Sequence, residues 1–141
     1  MANEITLEGL EDVLGRLDSI TDPQKLHKAL GKACALVERS AKQKAPKGNG
    51  DLRRSITSKV DDVKHEGIVF TPLEYAPYVE YGTGLFAEDG NGRKDVPWHY
   101  QDEKGEWHTT SGMKPHPFMR PALNENRTQI IRILKEGITS D

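Results

Sequence analysis

From Thr21 to Pro46 the chain reads TDPQKLHKALGKACALVERSAKQKAP, and no other stretch limits the fold as much. Leu26, Ala29, Leu30, Ala33, Val37 and Ala41 recur at three- and four-residue spacing, which places them on one side of an α-helix. Thr21 with Gln24 reads as a capping box, and Pro23 suits a first helical turn. Lys42 and Lys44 complement the negative end of the helix dipole, and Pro46 with Gly48-Asn49-Gly50 stops the helix. The stripe is rich in alanine, so a neighbouring element can come close. Cys34 lies beside it and is expected to be a small, half-buried, unreactive side chain.

The rest of the chain must supply what this helix packs on. Upstream, Leu7, Leu10, Val13, Leu14, Leu17 and Ile20 predict a short helix capped by Thr6, weakened by Gly9 and Gly15. Downstream, Leu52, Arg54, Ile56, Ser58 and Val60 fall on alternate positions and predict a half-buried strand. DDVKHEG then reads as a turn and GIVFT as a second strand, giving an antiparallel hairpin. The segment LEYAPYVEYG is compatible with one helical turn or with an extended run. At the end, PFMRPALNENRTQIIRILKEGI predicts a helix with Pro121 in its first turn, Leu123, Ile130, Ile131 and Leu134 on its apolar side, and Gly137 as C-cap. The expected fold class is α+β: helices packed on one face of a small antiparallel sheet, in a single domain over residues 1–141.

Between Gly82 and Pro117 the chain is mostly Gly, Pro, His, Trp and charge. Within it, Trp98-His99-Tyr100 and Trp107-His108-Thr109 flank DEKG, which predicts a β-hairpin. Residues 84–116 are therefore expected to form a long insert, flexible or interface-forming, since loops of this length are functional or disordered.

Bulk composition narrows the function. The chain has 141 residues, a net charge of −2, and 35% hydrophobic and 30% charged residues, which suits one folded but very polar domain. Its one cysteine excludes an internal disulfide and any cysteine-rich zinc site, and fits a reducing compartment. The first residues show no signal-peptide pattern and no segment is apolar enough to span a bilayer, so no membrane partner is expected.

Catalytic signatures are weak. Cys34 has no base assigned to it, there is no G-x-S-x-G elbow, and GTGLFAEDGNG lacks the lysine of a phosphate loop. Of the five histidines, His99, His108 and His116 with Asp95 or Asp102 are the only set to weigh as a metal-dependent hydrolase, and their spacing is irregular. The expectation is a non-enzyme with no cofactor and no metal. The 42–59 region is locally basic, and Lys47, Arg53 and Arg54 are candidates for contact with DNA or an acidic partner.

What remains is aromatic surface. Tyr75, Tyr78, Tyr81, Phe86, Trp98, Tyr100 and Trp107 lie where the local pattern is least regular. Tyrosine and tryptophan anchor protein–protein contacts, because they bring large area and a polar tip at little entropic cost. These residues, with Glu80, are the candidate interface. Gly82 and Thr83 would shape the turn that launches the insert, and Pro117 and Phe118 would lock its return.

Three motifs in order then form a pattern. Ala45-Pro46 is followed by Gly50, Leu52, Arg53, Ser55 and Ile56; Tyr75-Ala76, Tyr78-Val79-Glu80 and Gly82-Thr83 come next; Pro117-Phe118 and Pro121-Ala122 close it. Over roughly residues 5–137 this order resembles the tail-component family of long-tailed bacteriophages, of the head–tail joining and tail-completion class. Asn49 stands where that pattern has a small hydroxyl residue, and the stretch Phe86–Met113 matches no fixed pattern. The resemblance implies a structural virion protein of the neck, assembled in the host cytoplasm into a closed ring, with sixfold symmetry as the expectation. Its partners would be other copies of itself, connector and tail proteins, and DNA passing through the ring.

Overall fold

The structure, a computed structural model, describes residues 4–6, 22–48, 50–90, 92–102 and 104–139. The helix expected over Leu7–Ile20, Thr21 and Asn49 lie outside the described residues. The chain divides into two compact units: residues 1–73 with 118–141, and residues 74–117. Together their elements are those of an α+β fold.

The first unit is built on the long helix α1, Pro23–Lys44. Its stripe is buried as the spacing requires: Leu26, Ala29, Leu30, Ala33, Val37 and Ala41, joined by Cys34, lie in the core. The cap differs from the expectation. Asp22 is the N-cap, and its carboxylate accepts the Gln24 N–H at 3.0 Å, the ordinary way to satisfy an orphan donor of the first turn. At the other end the Ala45 N–H donates to the Ala41 carbonyl, and Pro46 follows.

A three-stranded antiparallel sheet lies against α1. Its strands are β1 (Glu4–Thr6), β2 (Thr57–Asp61) and β3 (Glu66–Phe70), in the order β1-β3-β2. β1 gave no signal in the sequence. β3 is central, and Gly67, Ile68 and Val69 are buried in a continuous run, the pattern of a strand covered on both sides. The β2–β3 hairpin stands as expected, with Thr57 opposite Phe70 and Asp61 opposite Glu66.

The strand predicted from Leu52 starts later than the alternation suggested. Asp51–Ser55 is a short helix, α2, and β2 begins at Thr57. Leu52 and Ile56 are both buried. They are four residues apart, a spacing that satisfies a helix as well as an alternating strand, so the apolar pattern did not decide between them. Ser55 at the helix end donates its hydroxyl to the Leu52 carbonyl and meets the buried Thr71 hydroxyl at 2.6 Å.

The C-terminal helix is broken in two: α4, Met119–Glu125, and α5, Arg127–Thr139. Asn126 makes the break, and its side-chain amide donates to the Ala122 carbonyl at 2.7 Å, the local competition that makes asparagine a poor helix interior. Both helices pack on α1. Gly137 is not the C-cap. It lies inside α5, where a Cβ would stand 2.7 Å from the Ala29 Cβ, so its role is to let the two helices approach.

Candidate functional site

The second unit, residues 74–117, carries all of the predicted interface residues. Its first element is α3, Ala76–Tyr81, preceded by Tyr75 in the N-cap position. The Tyr75 carbonyl accepts both the Tyr78 and the Val79 N–H. This helical turn resolves the ambiguity of LEYAPYVEYG. Tyr75, Tyr78 and Tyr81 fall three residues apart on one face and are 44%, 54% and 45% exposed, while Ala76, Val79 and Glu80 are buried. Glu80 thus points inward, away from the tyrosines.

Gly82 ends α3 with φ at 84°, its N–H bonded to the Tyr78 carbonyl, and hands the chain to Thr83. Thr83 is held by the far end of the insert. Its N–H donates to the Met113 carbonyl, and its hydroxyl accepts the Met113 N–H, each at 2.9 Å. One step further, the Leu85 N–H donates to the Ser111 carbonyl. Gly84 and Gly112 face each other here, both at positive φ, and a Cβ on either would collide with the opposite backbone. A single 3-10 turn, Gly84–Phe86, follows.

The hairpin expected from the paired Trp-His steps is present: β4 (Trp98–Gln101) and β5 (Trp107–Thr110) are antiparallel, with Tyr100 opposite His108. Asp102 closes its turn. That carboxylate accepts the Lys104 and Glu106 N–H groups and is 2.8 Å from His108 Nε2. The His108 hydrogen bond, followed by that of the Glu106 N–H, holds the Asp102 pKa below the ordinary carboxylate value.

These elements enclose an open groove of about 560 Å³ within the second unit. Pro77, Tyr78 and Tyr81 of α3, the Gly82–Gly84 turn, Arg93 and Trp98 line it. The Arg93 guanidinium stacks over the Trp98 ring at 5.0 Å, and its Nε donates to the Asp95 carbonyl. The groove is large enough to take bulky side chains of a partner, and its walls are the aromatic and cationic groups that anchor such contacts.

The family described as "Bacteriophage HK97-gp10, putative tail-component" matches residues 8–82. The chain belongs to this tail-component family. No curated protein and no solved structure matches it. The family match runs through α1, the β2–β3 hairpin and the tyrosine helix and stops at Gly82, where the insert begins. The groove therefore combines a tyrosine wall inside the matched region with an Arg93–Trp98 wall outside it.

The other predicted residues are placed as follows. Phe86, Tyr100 and Trp107 are exposed and Trp98 is half-buried. Phe118 is fully buried at the start of α4, beside an exposed Pro117. In the first unit Lys47 and Arg54 are exposed, and Arg54 pairs with Asp51. Arg53 turns inward: its guanidinium donates to the Ala45 carbonyl, and its buried Nε has no hydrogen-bond partner among the described residues.

The histidine set weighed for a metal is not assembled. His99 faces Thr109, and His108 faces Tyr100, so the register puts the two imidazoles on opposite faces of the ribbon. Among the described residues the one group with ligand atoms within 4.8 Å of one another is Asp102, Glu106 and His108, and Asp102 there is already occupied in closing the turn. The sequence also gave no hint of a polar chain in the first unit, where His27 meets His65 at 2.9 Å and Asp62 at 3.5 Å, tying α1 to the β2–β3 turn.

Proposed function

We propose that this tail-component protein is a ring-forming subunit of the phage neck, which joins head to tail or completes the tail by docking rather than by catalysis. The observation that carries this reading is the row of Tyr75, Tyr78 and Tyr81 on the outer side of α3, each more than 40% exposed. Large aromatic rings left in water on a short, well-formed helix are matched to a partner surface, not to a core. Phe86, Tyr100 and Trp107 extend the same character through the insert. In this reading the subunit resides in the virion after assembly in the host cytoplasm. Its partners are further copies of itself, connector and tail proteins, and DNA passing through the ring, which closes with the sixfold symmetry of the tail.

The test is the double variant Tyr78→Ala/Tyr81→Ala. It is expected to retain the helical circular dichroism and unfolding midpoint of the parent while ring formation and yield of tailed particles fall. A variant that unfolds places the tyrosines in the core. A folded variant that assembles like the parent removes them from the interface. Either result overturns this assignment.

A further inference from the structure

His27 of α1 and His65 of the β2–β3 turn meet edge to edge. His27 Nε2 lies 2.9 Å from His65 Nδ1, the rings are tilted by 15°, and their centroids are 5.1 Å apart. That separation is close to the largest the nitrogen contact allows, so each nitrogen points straight at the other. Two imidazole nitrogens so placed share one proton: one donates and the other accepts. On its far side His27 Nδ1 is 3.5 Å from the exposed Asp62 carboxylate. Asp62, His27 and His65 therefore stand in a row that joins α1 to the turn at residues 62–65. His65 sits at φ 57°, a left-handed conformation that a non-glycine residue keeps only when its surroundings hold it.

Among the described residues Asp62 is the charged group that meets the pair. In the same turn Asp61 accepts the Val63 and Lys64 N–H groups, and Lys64 and Glu66 flank His65. On β2, Lys59 lies over the Phe70 ring. On α1, Lys25 and Lys28 are the neighbouring cations. α5 meets α1 at Ala29, about 200° round the helix from His27, so α5 with Lys135 and Glu136 lies across α1 from the pair. Arg53 of α2 and Glu125 of α4 meet the other end of α1, at Ala45 and Lys44.

We propose that this row is a proton-operated latch: one added proton tightens the hold of α1 on the β2–β3 turn, and a second releases it. The first proton goes to His27 Nδ1. The resulting imidazolium has an acceptor for each N–H, the Asp62 carboxylate on one side and the His65 Nδ1 lone pair on the other. Both contacts become charge-assisted, the stronger class of hydrogen bond. The second proton has to take the His65 Nδ1 lone pair, which is the acceptor itself. Two cationic N–H groups then face each other where one hydrogen bond stood, and the contact is lost. The first proton is thus bound more tightly by the latched protein and the second less tightly. By linkage the latch strengthens as pH falls through the first step and weakens as it falls through the second. The β2–β3 ladder from Thr57–Phe70 to Asp61–Glu66 does not use this contact, so release frees the turn and leaves the strands paired.

The experiment follows amide exchange by NMR in the full-length chain from about pH 8 to about pH 5, the span in which imidazoles take up protons. Protection at Val63, Lys64 and His65 is read relative to Leu30 and Ala33 in the core of α1, which cancels the intrinsic pH dependence of exchange. The Asp61 carboxylate that accepts two of these N–H groups is held below its ordinary value, first by the Lys64 N–H and then by the Val63 N–H, so it stays ionised throughout. Relative protection in the parent is expected to pass through a maximum and then fall by roughly threefold or more on the acid side, the loss of about one hydrogen bond. His65→Asn keeps a residue that tolerates positive φ but has no imidazole, and its profile is expected to be flat. His27→Gln cannot take the first proton, so it is expected to lose the rise and keep the fall. A parent profile without a maximum, or a maximum that persists in His65→Asn, overturns the latch. If His65→Asn does not fold, the parent's imidazole nitrogen resonances decide: His65 Nδ1 is expected to remain an acceptor through the first protonation, and protonation of that nitrogen before His27 overturns the latch.

Discussion

Thr83 and Met113, thirty residues apart, hold each other at two points: backbone N–H to carbonyl, and hydroxyl to backbone N–H. Gly84 and Gly112 sit beside this clamp with no room for a side chain between the two backbones. The long insert is therefore closed at its base by backbone hydrogen bonds, directly after Tyr81 and Gly82 of the groove wall. Preorganisation of this kind reduces the entropy lost when a partner binds.

Replacing Thr83 with valine keeps the shape and removes the acceptor for the Met113 N–H. A hydrogen bond of this kind is worth about 1 kcal/mol, and more when a donor is left unmet. The expected result is faster amide exchange at Met113, Leu85 and Thr83, with amides in α1 unchanged. Gly84→Ala should act more strongly at the same amides, because the added methyl meets the Ser111 carbonyl and the positive φ disfavours it as well. Hydrogen exchange followed by mass spectrometry or NMR checks both.

The first unit was more legible in the sequence than the groove, and the reason is the range of the interactions. α1 was readable because its six-residue stripe and its proline stop are local signals. The β2–β3 hairpin was readable from β-branched content and a polar turn. Leu52 and Ile56 misled because their spacing serves two periodicities at once, and Asn126 broke a helix whose apolar side continues past it. The groove depends on Thr83 meeting Met113 and on Gly84 passing Gly112, contacts that no local pattern announces. Aromatic surplus alone marked the segment. The orientation of Glu80, buried behind the tyrosines it sits among, required the helical turn to be known.

Gly137 of α5 faces Ala29 of α1 with no room for a methyl group between them. Gly137→Ala should gain intrinsic helix propensity, about 1 kcal/mol, yet lose more by overpacking, which costs roughly 1–3 kcal/mol in a tight contact. The net expectation is a lower urea midpoint. Adding Ala29→Gly should restore part of the loss, since it removes the opposing methyl. A double-mutant cycle from urea unfolding measures the coupling, and additive effects of the two changes would refute the contact.

Burial, with Glu38 nearby, pushes the Cys34 thiol up from 9.0 to about 11. The folded protein therefore binds this proton more tightly than the unfolded chain does. Its contribution to stability is complete below about pH 9 and is lost as pH rises towards 11. Comparing the parent with Cys34→Ala isolates the effect from other groups titrating in the same range. The parent's stability should fall more steeply above pH 9 than the variant's. At neutral pH the thiol should react with a disulfide reagent only in denaturant.

Asp102 titrates in the opposite sense. Its pKa is lowered by the His108 side chain first and the Glu106 N–H second, so the hairpin turn is favoured while this carboxylate is ionised. That support is present at neutral pH and is withdrawn as pH falls below the ordinary carboxylate range. Acidification should therefore open the turn, read as faster exchange or shifted NMR resonances at Lys104, Gly105 and Glu106, before the first unit unfolds. Asp102→Asn should show the open-turn signature already at neutral pH, because an amide is a weaker acceptor for the same N–H groups. His108→Ala should raise the acid midpoint of the turn towards that of an ordinary aspartate. A turn whose amides titrate identically in the parent and in His108→Ala would mean that the imidazole does not support the carboxylate.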